Sequence, residues 1–339
     1  MKRIVAIALV ILMVMTLSVG CAKKEAPLTL LDKTLNQTAG LETLSTDLVL
    51  SAKVEANEAM LALDPSIKGI IDAVNAGKIS ATMASDSKKG NMNGKLTIDT
   101  NGMSIAVDLY MKEFAQMILK TPMAEKFVTM DLSQDAANTM NVELMTKVNK
   151  EVSAIFLAQL KEEFLTAEYK VPFEGKDGKV DLNYVTIKMN NDQFITFVKE
   201  LIPAIYASES TKQLLTESMT KSLEASGQEA TPEELQAQID ASMEQLPTML
   251  DQMQENITFD SVSFKMGIDK DYNTRDVAMD FVLTAKDQEA SMNITVNAAT
   301  EYYAFNQPVT PTDIEITEEN SMPFEDLLMQ LIFGGMGGM

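Results

Sequence analysis

From Leu48 to Glu55 the chain alternates strictly. Leu48, Leu50, Ala52 and Val54 fall on one side, and Val49, Ser51, Lys53 and Glu55 on the other. That is the period of a half-buried strand in an antiparallel sheet. The pattern returns with Met103, Ile105, Val107, Leu109 and Met111 on one face. It returns again with Val277, Met279, Phe281, Leu283 and Ala285, and with Ala290, Met292, Ile294, Val296 and Ala298. Turn-forming segments at 88–94, 100–102, 175–178 and 269–273 punctuate these runs. The spacing predicts about eleven strands, roughly six within 45–132, about two within 167–190 and about three within 256–299.

The period changes to that of a helix elsewhere. Leu30, Leu31, Leu35 and Leu41 mark an amphipathic segment over 28–41. Val152, Ile155, Phe156, Leu160 and Phe164 mark helix within 134–166, and Phe194, Phe197, Val198 and Leu201 do so within 191–206. Thr231-Pro232-Glu233-Glu234 is a capping box with proline at the first helical position. The stripe that follows runs Leu235, Ile239, Met243, Leu246, Leu250, Met253, and Pro247 is expected to kink or end that helix near Leu246. Burial of the stripe against the sheet is expected rather than a coiled-coil dimer. The resulting expectation is an α+β fold: a single antiparallel sheet of about eleven strands covered by helices inserted between its strand groups. It occupies residues 28–333 as one domain, followed by a flexible Gly/Met tail at 334–339.

Composition removes whole classes of chemistry. There is no histidine, and Cys21 is the only cysteine. Imidazole bases, Ser-His-Asp and Cys-His nucleophiles, and His-ligated zinc or copper sites are therefore absent from the menu. A net charge of −21 repels phosphates, so nucleic acid is not an expected partner. Ser-x-x-Lys occurs at Ser85 to Lys88 and at Ser218 to Lys221, but no Lys-Thr-Gly accompanies either. Asp269, Asp271 and Asn273 copy the opening of a calcium loop, yet Thr274 stands where that loop needs glycine and Asp280 falls inside a strand. A polar hairpin turn with no metal is the expectation there. The segment 174–179 reads as a hairpin turn and the acidic run from Asp313 to Glu319 as a solvated connection. No cofactor is expected, and no enzyme.

The start of the chain reads as an address. Lys2 and Arg3 precede an apolar run from Ile4 to Met15 that is too short to span a bilayer, the layout of an export signal. Ser18-Val19-Gly20-Cys21 resembles the lipobox of bacterial lipoproteins. The resemblance implies a signal peptide over 1–20 and a Cys21 that is diacylated on its sulfur, with chains such as palmitate. Residues 21–27 then form a short tether that holds the body at the extracytoplasmic face of the cell membrane.

A short-tethered lipobox, a Leu- and Thr-rich helix before a long strand, and late hairpins such as the one at 266–281 resemble the LolA/LolB-like superfamily, particularly LppX/LprG-type lipoproteins. That likeness implies that the sheet is a curved, unclosed half-barrel, with an apolar cavity between sheet and helices that carries a lipid or an acylated molecule. It transfers no individual binding residue. The inward strand positions are the candidate lining: Met103, Ile105, Val107, Leu109, Met279, Phe281, Leu283, Met292, Ile294 and Val296. A filled core would use the same positions. The alternative is accordingly an envelope interaction or sensor module with a protein partner, and a carboxylate-dependent hydrolase is a third class without a supporting motif.

Overall fold

The computed structural model describes residues 24–38, 40–63, 66–131, 142–225, 231–309, 314–324 and 326–327. The expected signal peptide over 1–20, Cys21 and the expected tail at 334–339 lie outside the described residues. The strands are β1 (Thr43–Ala56), β2 (Lys78–Asp86), β3 (Asn91–Thr100), β4 (Met103–Lys112), β5 (Gln116–Lys120), β6 (Phe127–Asp131), β7 (Leu165–Gly175), β8 (Gly178–Met189), β9 (Ile257–Ile268), β10 (Thr274–Asp287), β11 (Ala290–Tyr303) and β12 (Ser321–Pro323). They form one sheet in the order β12-β6-β5-β4-β3-β2-β1-β11-β10-β9-β8-β7, and β12 and β7 remain as free edges. The sheet is therefore unclosed, as expected of a half-barrel.

Two antiparallel meanders build it. β1 to β6 pair in chain order, with two helices, Glu58–Leu63 and Ser66–Asn75, inserted between β1 and β2. β9 to β11 pair in chain order too, and the two series join where β11 pairs with β1. The β7–β8 hairpin extends the far edge. The twelfth strand was not anticipated. β12 has three residues, too few to show a period, and it pairs in parallel with β6, which makes the sheet mixed.

Register carries the alternation across the whole sheet. Leu165, Ile187, Phe264, Met279, Ala298, Leu50, Ile79, Ile98 and Ile105 stand opposite one another in a single apolar row from β7 to β4. A one-residue slip anywhere would turn that row to the opposite face, which is why the pairing is so well specified.

Among the described residues seven α-helices accompany the sheet: α1 (Pro27–Thr38), α2 (Glu58–Leu63), α3 (Ser66–Asn75), α4 (Val142–Gln159), α5 (Asn191–Tyr206), α6 (Glu209–Ala225) and α7 (Pro232–Asn256). The main core lies at one end, where Leu30, Leu31, Leu160, Phe164 and Phe197 bury Val185, Ile187, Met189 and Ile268. Capping boxes open α5 (Asn190 with Gln193) and α7 (Thr231 with Glu234) and satisfy the free amides of the first turns. Pro247 does not end α7, which continues to Asn256. Pro247 is exposed, while Leu250 beyond it is buried, so packing holds the helix past the lost hydrogen bond. The helices α2, α3 and α6 were also not anticipated.

One glycine shapes the covered end. Gly267 lies between Tyr184 and Asp276 in the cross-strand register, and the Tyr184 hydroxyl donates to Asp276 Oδ2 at 2.9 Å. Burial and that carboxylate push the phenol's pKa far above its ordinary value. A Cβ on Gly267 would come within 2.8 Å of both Leu182 Cδ1 and Tyr184 Cε1, and both residues are buried. Gly267→Ala is therefore expected to lower unfolding free energy by about 1–3 kcal/mol in urea titration, the usual range for overpacking. An unchanged midpoint would show that the Tyr184 ring moves aside freely.

Candidate functional site

The helix α3 sits on the sheet without being packed into it. Ile67, Ile70, Ile71 and Val74 give it an apolar stripe, yet none of its residues is buried, and Ile70 is 63% exposed. Polar contacts fasten its C-terminal end. Asn75 accepts from the Val54 amide at 2.6 Å and donates to the Val54 carbonyl at 2.9 Å, and Thr100 donates to the Ala73 carbonyl at 3.2 Å. Val54 lies beyond the last β1–β2 pair at Ser51 and Lys78, so the Asn75 side chain supplies the partners that β2 does not.

Beneath and beside α3 lies a groove of about 620 Å³. Leu50 and Ala52 of β1, Ile79 of β2 and Ile98 of β3 form its floor, and Ile70, Ala73 and Val74 its helical wall. A Cβ placed on the lining residue Gly69 would touch nothing within 4 Å. Lys78 is the one charged residue of the lining. This volume lies in the usual range for small-molecule sites, about 300–1,000 Å³, as does an apolar lining with a few polar groups. A larger cleft of about 980 Å³ separates α6 from α7, but Glu209, Lys212, Glu233 and Asp240 line it. An apolar ligand there would strip water from charges without replacing it.

The nominated strand residues lie on the same face as the groove floor, to either side of it. Phe281 stands opposite Val296, Leu283 opposite Ile294, Met279 opposite Ala298, and Met292 opposite Ala285. All six late-strand positions are half-buried, as are Ile105, Val107 and Leu109, whereas Met103 is 65% exposed. Phe281 meets Phe194 of α5 edge-on at 6.3 Å. None of the ten lines the groove, which lies in the apolar row between Met279 and Ile105. Sequence reasoning missed Ile70, Ala73 and Val74, although the spacing of Ile67, Ile70, Ile71 and Val74 is helical.

The calcium-like loop is closed by its own side chains. Asp269 is buried, and its carboxylate accepts from the Asp271 and Asn273 amides, both at 2.9 Å, and from Arg275 Nε at 2.8 Å. Arg275 thus pairs with the buried Asp269 carboxylate.

The first described residues are clamped to this same end. Lys33 Nζ lies 2.6 Å from Glu25 Oε1 and 2.9 Å from the Tyr272 hydroxyl, and Tyr169 donates to the Glu25 carbonyl. Lys24 lies 4.9 Å above the Tyr169 ring. The hydrogen bond from Lys33 holds the Glu25 carboxyl below its ordinary value against a smaller opposing effect of burial. A depressed carboxylate favours the clamp at and above the ordinary Glu range, and the effect is lost as pH falls through the depressed value. Hydrogen-exchange protection at the Leu30 amide, bonded to Ala26 at 3.0 Å, should therefore fall on acidification, and Glu25→Gln should remove that pH dependence. Equal pH profiles for the two proteins would show that the ion pair does not hold the segment.

Among the described residues no helix is long and apolar enough to cross a membrane. No protein-family model matches this sequence, and no curated protein matches it at a significant level.

Proposed function

We propose that this protein is a lipid-anchored, extracytoplasmic, non-enzymatic binder of a hydrophobic ligand, and that an acyl chain lies in the groove between α3 and β1–β3. The observation that carries the reading is the apolar groove of about 620 Å³ under a helix with no buried residue. An acyl chain there would exchange water for Leu50, Ile79, Ile98 and Val74, at about 0.8 kcal/mol per buried methylene. The lipobox-like Ser18-Val19-Gly20-Cys21 supports placement at the membrane, and the sheet-and-helix order supports kinship with LolA/LolB-like carriers.

Native mass spectrometry after incubation with fatty acid or phospholipid tests this reading. The expected result is one added lipid mass per chain, lost on collisional activation. A protein that stays at its bare mass with every lipid offered would return the interaction module, with a protein partner, to first place.

A further inference from the structure

Four neighbouring strands each place a methionine in the same cross-strand row. Met92 of β3 stands opposite Met111 of β4, Met111 opposite Met117 of β5, and Met117 opposite Met130 of β6. All four are half-buried. The next row on the same face holds Gly94, Leu109, Leu119 and Val128, so a need for apolarity is met there without any thioether. Strands favour β-branched and aromatic residues, so propensity does not explain four unbranched sulfur side chains in register either.

We infer that this row is a binding site for a soft monovalent cation, Cu(I) in chemical class, ligated by thioethers alone. Paired strands lie about 4.8 Å apart, which sets the Met111 and Met117 side chains next to each other. Met is long and flexible enough for Met92 or Met130 to lean in and complete a three-sulfur set. Four sulfurs around one ion would strain the span from β3 to β6, so three is the natural number. Thioethers select Cu(I) over hard cations. The chain has no histidine and its one cysteine is Cys21, so the soft ligands of its body are methionine thioethers. Among the described residues only this row sets four of them in cross-strand register. The excess negative charge, −21 overall, raises the local concentration of any cation. The site is separate from the groove and does not depend on lipid binding there.

The test uses the full-length protein in detergent, titrated without oxygen against Cu(I) held by a coloured chelator. One ion should transfer per chain. Met111→Leu/Met117→Leu, which keeps the apolar volume and removes two sulfurs, should weaken binding at least ten-fold. Met249→Leu/Met253→Leu on α7 should bind like the parent. Should the strand variant fold poorly, the parent with carbon-13 methionine methyls gives a second reading: Ag(I) should shift Met92, Met111, Met117 and Met130 selectively. Failure to draw Cu(I) from the chelator would overturn the inference. So would equal binding by the strand variant, or silver-induced shifts confined to other methionines.

Discussion

Arg275→Met is expected to unfold with about 3–5 kcal/mol less free energy than the parent, the usual penalty for stranding one partner of a buried ion pair. Arg275 is the only arginine after Arg3. Its side chain is 18% exposed and its partner Asp269 only 2%. Nε holds Asp269, Nη1 holds Asp177 in the β7–β8 turn, and the guanidinium lies 4.3 Å from the centre of the Phe305 ring. Asp177 in turn accepts from the Ala304 amide, so one planar cation ties together the β9–β10 loop, the β7–β8 turn and the chain leaving β11. Arg275→Lys keeps the charge but not the fork, and should fall between parent and methionine variant. Urea unfolding measures both. A loss under about 1 kcal/mol for Arg275→Met would place the pair among ordinary surface ion pairs.

Ala73→Trp should cut lipid uptake by at least ten-fold while costing little stability. Ala73 faces the groove from α3, and an indole there would occupy the space otherwise open to an acyl chain. The helix has no buried residue to displace, so the penalty should stay below about 1 kcal/mol, short of core overpacking. Uptake monitored by displacement of a fluorescent fatty acid, with urea unfolding alongside, separates the two effects. Unimpaired uptake would move the binding site elsewhere on the sheet face. A large loss of stability would show that α3 and the strands close into a packed core.

The sheet was legible because period two is a local signal. Leu48 to Val54 and Val277 to Ala285 carry their facing directly in the sequence, and turn residues mark where each run stops. The β10–β11 pairing of Phe281 with Val296 and Leu283 with Ile294 follows from the short turn between them. What lay hidden was which stretch of that face would stay uncovered, because coverage depends on where distant helices land. α1, α4 and α5 meet the β7–β9 end through Leu31, Phe156 and Phe197, and nothing local in β1–β3 announces that they stop short. The helix α3 was visible in principle through Ile67, Ile70, Ile71 and Val74, but a ten-residue helix between strands is easily passed over. Arg275 was equally hidden, since its role comes from Asp177, far away in sequence. β12 carries too few residues for any period at all.

The chain contains no tryptophan, so a single one reports its own site without background. Ile70→Trp sets that reporter on α3 beside the groove, where Ile70 is already 63% exposed. The most direct measurement is its fluorescence during titration with a bromine-labelled fatty acid. The account predicts quenching that saturates at one acyl chain per protein, and that disappears when Ala52→Phe on β1 fills the floor beneath it. Uptake of the labelled chain without quenching at position 70, or no uptake at all, would contradict it.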